Sequence, residues 1–306
     1  MQAGYLAFFY PPNFLLICLP LALLSYSQAF LAWVAVTGAL CFAALLPYRA
    51  APWPVVLLLC LCAPAAMQNF YLGQNGFLTT ALFAMAGLAV ERRPALAGAI
   101  LASLSFKPHL GILVLPGLIA ARRWAVLAAG MAAGLAWILT SALVLGWESW
   151  GAFLGTVPRA GAALREGDIR YEVFQSVFGM LRAAGVPNGP SQVAQAIISV
   201  ATVVLVFAQA RRCKDMQACV VVMAAGAALV TPFVLVYDMT ALLLPAVWLM
   251  ARGRAGGFLP WEKAGLVAVI LLPALAIWFA GSFGLSLGPV APLIALLLAL
   301  RRAGQP

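Results

Sequence analysis

Long apolar stretches separated by short polar interruptions dominate this chain, and they predict a bundle of membrane-spanning helices. A helix needs roughly 20 apolar residues to cross the hydrocarbon core of a bilayer, with about 17 as the lower end of the range. The stretches closest to this length are Ala29–Leu46, Ala125–Gly146, Val193–Gln209, Ala218–Val236, Ala264–Ala280 and Leu285–Leu300. Shorter or interrupted stretches are Phe14–Leu24, Val55–Ala66, Phe77–Val90, Leu96–Phe106, Leu110–Ala121 and Thr240–Met250. We therefore expect about eight to eleven crossings.

Composition excludes a soluble globular protein. Charged residues make up 8% of the chain and hydrophobic residues 65%, with a mean hydropathy of +1.04. A soluble domain carries about 25% charged residues, because water must solvate its surface. Lipid must therefore solvate most of this surface. The fold class expected is all-α, a polytopic membrane helical bundle, with residues 1–306 forming one integral membrane domain.

The basic residues indicate the orientation of this bundle in the membrane. Most of them lie in short connections or at the end of the chain: Arg49, Arg92, Arg93, Arg122, Arg123, Arg211, Arg212, Lys214, Arg252, Arg254, Lys263, Arg301 and Arg302. They exceed the acids beside them, Glu91, Asp215 and Glu262, by the whole formal net charge of +10. Cytoplasmic loops carry such an excess of arginine and lysine. The charge-balanced segment at about 147–190 is then an extracytoplasmic loop.

This orientation gathers the remaining polar residues on the extracytoplasmic side. Glu91 and Arg122 are both assigned to the cytoplasm, so the chain between them must cross outward and return near Lys107. The same logic places Gln74 and Asn75, and also Tyr237 and Asp238, on the outside. The scattered arginine pairs act as topological anchors and form no continuous patch, which leaves no support for nucleic-acid binding.

Ionisable residues flanked by apolar runs are candidates for function, because such groups are costly near membrane depth. Lys107 either binds a phosphate anion at the membrane surface or extends its ammonium to the outer interface. His109 is a catalytic group or a hydrogen-bonding residue at a helix end. Asp238 is functional or forms an ion pair with an arginine of the outer loop. Gln74 and Asn75 either bind sugar hydroxyls or form a plain turn.

The external segment is amphipathic and rich in aromatic residues, which favour the headgroup region of a membrane. It forms either an interfacial helix that packs on the bundle or a lid over a site that opens to lipid. The six cysteines show no metal-ligand spacing. The sequence contains no P-loop and no dinucleotide-binding fingerprint. We therefore expect no metal and no cofactor.

Several segments resemble one known family. They are Phe9–Leu16 with Tyr10-Pro11-Pro12-Asn13, Gly73–Thr79 with Gln74-Asn75-Gly76, Arg93–Gly98, Lys107-Pro108-His109 with Gly111, Gln175–Phe178 with Arg182 and Gly185, and Pro232 with Tyr237-Asp238. From about Phe9 to about Pro245 the chain resembles glycosyltransferase family 87, the polyprenol-phosphate-mannose-dependent α-1,2-mannosyltransferases. The Gln-Asn-Gly and Lys-Pro-His segments together carry most of the specificity of this resemblance.

The resemblance implies a multi-pass enzyme of the C-type glycosyltransferase fold in a cell membrane, with a bacterial plasma membrane expected. Its partners would be a polyprenyl-phosphate sugar donor, with mannose as the expected hexose, a lipid or glycan acceptor, and membrane lipid. Lys107 would bind the donor phosphate. His109 and Asp238 would be the catalytic residues. The expected substrate-binding residues are Tyr10, Gln74, Asn75, Gln175 and Tyr237.

The chain also departs from the family pattern. In this fold the catalytic carboxylate usually lies in the first external loop, just after the first transmembrane helix. Residues Met1–Phe14 contain no Asp or Glu, so we expect that helix and loop to be missing. An inactive relative, acting as a membrane scaffold, is one alternative. Another is a transporter or flippase for a lipid-linked or anionic substrate, which paired broken helices in an inverted repeat would favour; no convincing repeat is present.

Overall fold

The computed structural model describes residues 9–48, 53–167 and 169–305, and in these residues it is the all-helical membrane bundle predicted from the sequence. No strand forms in the described part of the chain, although Phe174 and Leu235 make an isolated antiparallel bridge. The helices in chain order are α1 Pro12–Cys18, α2 Tyr26–Leu45, α3 Trp53–Cys62, α4 Pro64–Tyr71, α5 Gly76–Ala89, α6 Pro94–Ala102, α7 Pro108–Gly111, α8 Val114–Ala120, α9 Trp124–Leu145, α10 Trp147–Glu166, α11 Val177–Ala183, α12 Asn188–Arg212, α13 Met216–Gly226, α14 Leu243–Gly256, α15 Glu262–Phe283 and α16 Val290–Ala303.

Four described helices, α2, α9, α12 and α15, are long and apolar enough to cross a membrane. Helices α3 and α4, bent by 57° at their junction, count as a fifth crossing if they are taken as one span. The eight to eleven crossings expected from the sequence would be reached only if several of the shorter apolar helices also cross the membrane. The apolar stretch Ala218–Val236 is not one helix: regular structure stops at Leu229, because Pro232 disfavours a helical conformation in the residue before it.

The long helices surround a layer of shorter ones. In the outer helices, by which we mean α2, α9, α12 and α15, between 17% and 28% of each apolar window is buried. In α5 every residue except Met85 and Leu88 is buried, and in α13 every residue except Gln217. Helix α14 is buried from Leu243 to Leu249. We call α5, α13 and α14 the inner helices. Their apolar surface packs on protein, whereas that of the outer helices is left for lipid.

Ion pairs hold the arginine-bearing loops together at one end of the bundle, which we call the basic end. Arg123 Nη2 lies 2.7 Å from Glu91 Oε1, and that carboxylate also accepts from the backbone N of Met216 at 3.3 Å. Arg252 Nη2 lies 2.5 Å from Asp215 Oδ2. The chain does leave this end after Glu91 and return to it at Arg123, as predicted. Which face of the membrane the basic end meets remains a prediction from the arginine excess.

The inner α-helices are shorter than the outer helices. Helices α5 and α14 have 14 residues each, or about 21 Å at the usual rise per residue, against roughly 30 Å for the hydrocarbon core. The outer helices have 20 to 25 residues. At the end opposite the basic end, α5 begins at Gly76, and α14 continues from the 3-10 segment Val236–Leu242 that carries Asp238. The two segments therefore bring Asn75 and Asp238 to the same end of the bundle.

Candidate active site

Lys107 lies at the far end of the inner helices and is 3% exposed. It precedes Pro108, which removes a backbone donor and keeps the preceding residue out of the helical conformation; Lys107 has φ −135° and ψ 66°. The resulting break separates a 3-10 segment, Ser103–Phe106, from α7. The lysine side chain leaves the chain at this break and points into the bundle. The alternative that it extends to the outer interface is therefore wrong.

Three groups surround the Lys107 ammonium. Its Nζ donates to Asn75 Oδ1 at 2.7 Å and forms a short ion pair with Asp238 Oδ1. It also lies 4.9 Å from the centre of the Tyr237 ring, which is a cation–π distance. Lys107, Asn75, Asp238 and Tyr237, all predicted as site residues, are thus brought together from three separate parts of the chain. The alternative that Asp238 pairs with an arginine of the outer loop is wrong, because its partner is Lys107.

Asp238 is held by the local backbone as well as by Lys107. It is 3% exposed and belongs to the 3-10 segment Val236–Leu242. Its Oδ2 accepts from the backbone N of Leu235 at 2.9 Å, as a carboxylate does at the start of a helix. Each of its oxygens therefore has a partner, and its negative charge is balanced by the lysine.

The start of α5 explains how Asn75 reaches Lys107. Asn75 is the N-cap residue of α5, but its side chain makes no capping bond because it accepts from Lys107 instead. Asn69 takes over this role, since its Oδ1 accepts from the backbone N of Gly76 at 2.6 Å. A Cβ at Gly76 would collide with the backbone oxygen of Tyr237 and lie 2.7 Å from Asn69 Oδ1. Glycine is therefore required for α5 to meet the segment that carries Asp238.

Gln74 lies beside this cluster and connects it to the N-terminal part of the chain. The Tyr10 hydroxyl donates to Gln74 Oε1 at 3.2 Å, and Trp33 Nε1 donates to the Gln74 backbone oxygen at 3.3 Å. The Tyr10 side chain also interacts with the phenol of Tyr237. Gly73 has φ 59°, which a turn at this position uses. Gln74 and Asn75 thus form a turn and also make the long-range contacts expected of site residues.

His109 and Gln175 lie around the ring of Phe233. The His109 ring is 6.5 Å from that ring between centroids, and Phe174 is 5.6 Å from it. The backbone N of Gln175 donates to Val234 O at 2.8 Å. His109 also lies within electrostatic range of Asp238 and Lys107. Among the described residues, His109 Nε2 and both side-chain polar atoms of Gln175 are buried without a hydrogen-bond partner.

Sequence reasoning missed three residues that build this site. Phe233 joins His109 to the Gln175 segment, and Asn69 caps α5. Asn13 Nδ2 donates to Ser105 Oγ at 2.8 Å and so connects α1 to the segment before Lys107. An uncharged amide inside an apolar run is a signal that could have identified Asn69, because such a group requires a buried partner. Nothing in the sequence distinguishes Phe233 from the other phenylalanines.

The arrangement can bind an anion and accept a proton. A lysine ammonium has three N–H donors; Asn75 and Asp238 take two, which leaves one for an oxyanion. A neutral imidazole has one acceptor nitrogen, and His109 offers an unpartnered Nε2 close by. In a buried site with few water molecules, a fixed cation stabilises a developing negative charge far better than it would in water.

Comparison with known proteins identifies one family. The model of glycosyltransferase family 87 matches residues 8–237, which is more than half of the chain. No curated protein and no solved structure matches the chain. The matched range includes Lys107, His109, Gln175 and Tyr237, and it ends one residue before Asp238.

Proposed function

We propose that this chain, which belongs to glycosyltransferase family 87 and is a membrane glycosyltransferase, transfers a hexose from a polyprenyl-phosphate donor. The expected hexose is mannose, and the acceptor is a hydroxyl of a lipid-linked or glycan substrate on the extracytoplasmic face of a bacterial plasma membrane. One observation carries the proposal: the buried Lys107 ammonium is fixed by Asn75 and Asp238 at the end of the bundle opposite the basic end. A fixed cation at that end suits the anion of a lipid-linked sugar phosphate.

Lys107 is the group that we assign to the donor phosphate. Cleavage of the bond between the anomeric carbon and the phosphate oxygen leaves negative charge on the departing phosphate. A cation that is already in place stabilises this charge without reorganisation during the reaction. Asp238 and Asn75 take two ammonium donors and so aim the third. Asp238 thereby positions Lys107.

His109 is the better candidate for the proton acceptor, because both oxygens of Asp238 already accept bonds. Protonating Asp238 would also leave the Lys107 charge without its partner in a buried site. In the proposed step, the acceptor hydroxyl oxygen bonds to the anomeric carbon and its proton moves to His109 Nε2. The bond to phosphate breaks at the same time, and its electron pair leaves with the phosphate.

The remaining polar groups suit sugar hydroxyls. Gln74 and Tyr10 carry amide and phenol groups beside the lysine cluster. Gln175 has a buried amide without a partner among the described residues, and leaving such a group unsatisfied costs about 1–3 kcal/mol. A bound hydroxyl would satisfy it. We therefore assign Tyr10, Gln74, Asn75, Tyr237 and Gln175 to substrate binding.

The test is transfer from labelled mannosyl-phosphoryl-polyprenol in proteoliposomes that contain the purified chain and an extract of membrane glycolipids. The wild type should give a labelled glycolipid, and Lys107→Ala should lose at least about a hundredfold in rate, as is typical when a charge-stabilising donor is removed. Lys263→Ala is the matched control, because Lys263 is exposed at the basic end, where its ammonium lies 5.1 Å from the centre of the Phe258 ring. Its rate should be unchanged.

Two results would overturn this proposal. One is full transfer activity in Lys107→Ala, which would remove the lysine from the reaction. The other is accumulation of the lipid-linked sugar on the opposite leaflet without any glycosidic product, which would support a flippase.

A further inference from the structure

An apolar cavity of about 510 Å³ lies between α6, α8 and α9, beside the lysine site. Its walls are almost entirely aliphatic side chains and glycines, and Ser105 is the only hydroxyl residue among the described lining residues. Such a surface offers water few hydrogen bonds, whereas a hydrocarbon chain that binds there removes its own apolar surface from water. The cavity therefore suits an apolar ligand.

Glycines create much of this space. At Gly134 an added Cβ would meet only Ala102 at 4.0 Å, and at Gly111 only Leu104 at 3.7 Å. Gly98, at the other end of the cavity, is different: a Cβ there would collide with the Val126 backbone oxygen, so this glycine allows close packing of α6 on α9. Gly111 and Gly134 thus leave space that larger side chains would fill.

The cavity has exposed residues along one side, and one of its ends lies beside the backbone break at Lys107. Ile112, Leu115 and Met131, which line it, are 46%, 53% and 68% exposed. Ser105 and Pro108 also line it, and they stand on either side of Phe106 and Lys107 in the sequence. A hydrocarbon chain lying in this cavity would therefore have one end beside the backbone of Lys107, the residue that we assign to the donor phosphate.

We infer that this cavity holds the polyprenyl chain of the lipid-linked sugar donor. The inference rests on the proposed function, because it takes Lys107 as the phosphate site. In a polyprenyl phosphate the hydrocarbon begins at the phosphate itself, so the chain must leave the site through the nearest apolar channel. An acceptor meets the donor at the sugar, on the far side of the phosphate from the chain. The donor chain is therefore the lipid chain that belongs beside Pro108.

Photocrosslinking tests this assignment without sugar transfer. The probe is polyprenyl phosphate with a diazirine in one of the isoprene units near the phosphate, added to the purified full chain in nanodiscs. Mass spectrometry of the labelled peptides should place the crosslink on the cavity-lining residues of α8 and α9, such as Leu115 and Met131. Gly134→Leu and Gly111→Leu, which fill the cavity, should each lower labelling about tenfold.

Gly155→Leu is the matched control, because a Cβ at Gly155 on α10 meets nothing within 4 Å; its labelling should equal that of the wild type. The inference is overturned if both filled variants keep wild-type labelling while folded, or if the crosslink lies outside the cavity. It is also overturned if excess phosphatidylglycerol competes as well as excess unlabelled polyprenyl phosphate, since the cavity would then hold an ordinary lipid. Loss of transfer with labelling retained would count against the proposed function alone.

Discussion

The inner and outer helices of this protein differ in length, in burial and in what they contribute. Helices α9 and α12 are 22 and 25 residues long, and only 17% and 22% of their apolar windows are buried. Helix α5 has 14 residues and is buried almost throughout. The outer helices are long enough to cross a bilayer, and the inner helices carry the polar site at their ends away from the basic end. The inner segments thus enclose Lys107 and Asp238 in protein, while the outer helices leave apolar surface for lipid.

This difference explains how a charged pair persists in such an apolar chain. The Lys107–Asp238 pair is nearly fully buried, whereas the Arg123–Glu91 pair at the basic end has side chains that are 35% and 46% exposed. A buried charge is tolerated when it is paired and hydrogen-bonded, and Asn75 and the Leu235 backbone supply those bonds. The buried pair is therefore sensitive to loss of either partner, and the exposed pair is not.

The largest expected effect is on the chemical labelling of the two ends of the bundle from outside the cell, which should be all-or-none. In a background without native cysteines, Gly189→Cys at the start of α12 should react with a membrane-impermeant maleimide only from outside intact cells. Arg254→Cys at the basic end should react only after the membrane is permeabilised. Both residues are exposed. Labelling in the reverse order would place the site on the cytoplasmic face and remove the basis for an extracytoplasmic acceptor.

Breaking the buried pair should produce the largest change in stability. Lys107→Met should lower the free energy of unfolding by about 3–5 kcal/mol, because it leaves Asp238 charged and buried without its cation. Arg123→Met at the exposed pair should cost no more than about 1 kcal/mol. Both are measured by denaturant unfolding in detergent.

The double variant Lys107→Met with Asp238→Asn separates folding from chemistry. It should regain most of the lost stability, because no unpaired charge remains, but it should not regain sugar transfer. Equal costs for Lys107→Met and Arg123→Met would contradict the claim that the inner region is the sensitive one.

A smaller effect is expected at the glycine that joins two inner segments. Gly76→Ala should lower the free energy of unfolding by about 1–3 kcal/mol, as overpacking does, because the new Cβ collides with the Tyr237 backbone oxygen. The control is Gly281→Ala on the outer helix α15, where a Cβ meets nothing within 4 Å. That change should be neutral or stabilising by up to about 1 kcal/mol. If Gly76→Ala were equally harmless, the close contact between α5 and the Asp238 segment would not exist in solution.

The smallest effect is expected on the lipid-facing surface. Leu143 on α9 is 81% exposed, so Leu143→Ala should change the free energy of unfolding by less than about 0.5 kcal/mol. Leu244→Ala on α14, which is fully buried, should cost about 2–5 kcal/mol through the cavity that it creates. Similar costs at the two positions would show that α9 packs against protein rather than lipid.

The sequence was sufficient for the fold class and for most members of the site, for reasons that differ between residues. Apolar length alone predicts α2, α9, α12 and α15 closely, since crossing a bilayer requires that length. Charged and amide residues in apolar surroundings identify Lys107, Asn75 and Asp238, because such groups are rare without a role. The pairing of Lys107 with Asp238 was not predicted. Sequence separation gives no information about which helix ends meet, and that contact depends on Gly76.

The positions at which the helices around the site begin and end could also not be predicted from the sequence pattern. The stretch Phe77–Val90 was treated as a short or interrupted crossing. Only the structure shows that the 14-residue helix α5 connects Asn75, beside Lys107, to the basic end, where Glu91 pairs with Arg123. Likewise, Ala218–Val236 has the composition of a full span, but backbone breaking at Pro232 outweighs its hydrophobicity.

The hydrogen bond between Tyr10 and Gln74 has a practical consequence for handling this protein. It anchors Tyr10 beside the polar cluster, whereas Arg302 pairs with Glu262 at the opposite end of the bundle. A fluorescent label on a cysteine introduced at Tyr10 would thus lie next to the reaction centre. The same label at Gln305, which is exposed close to Arg302, would lie away from it, so imaging should use that position.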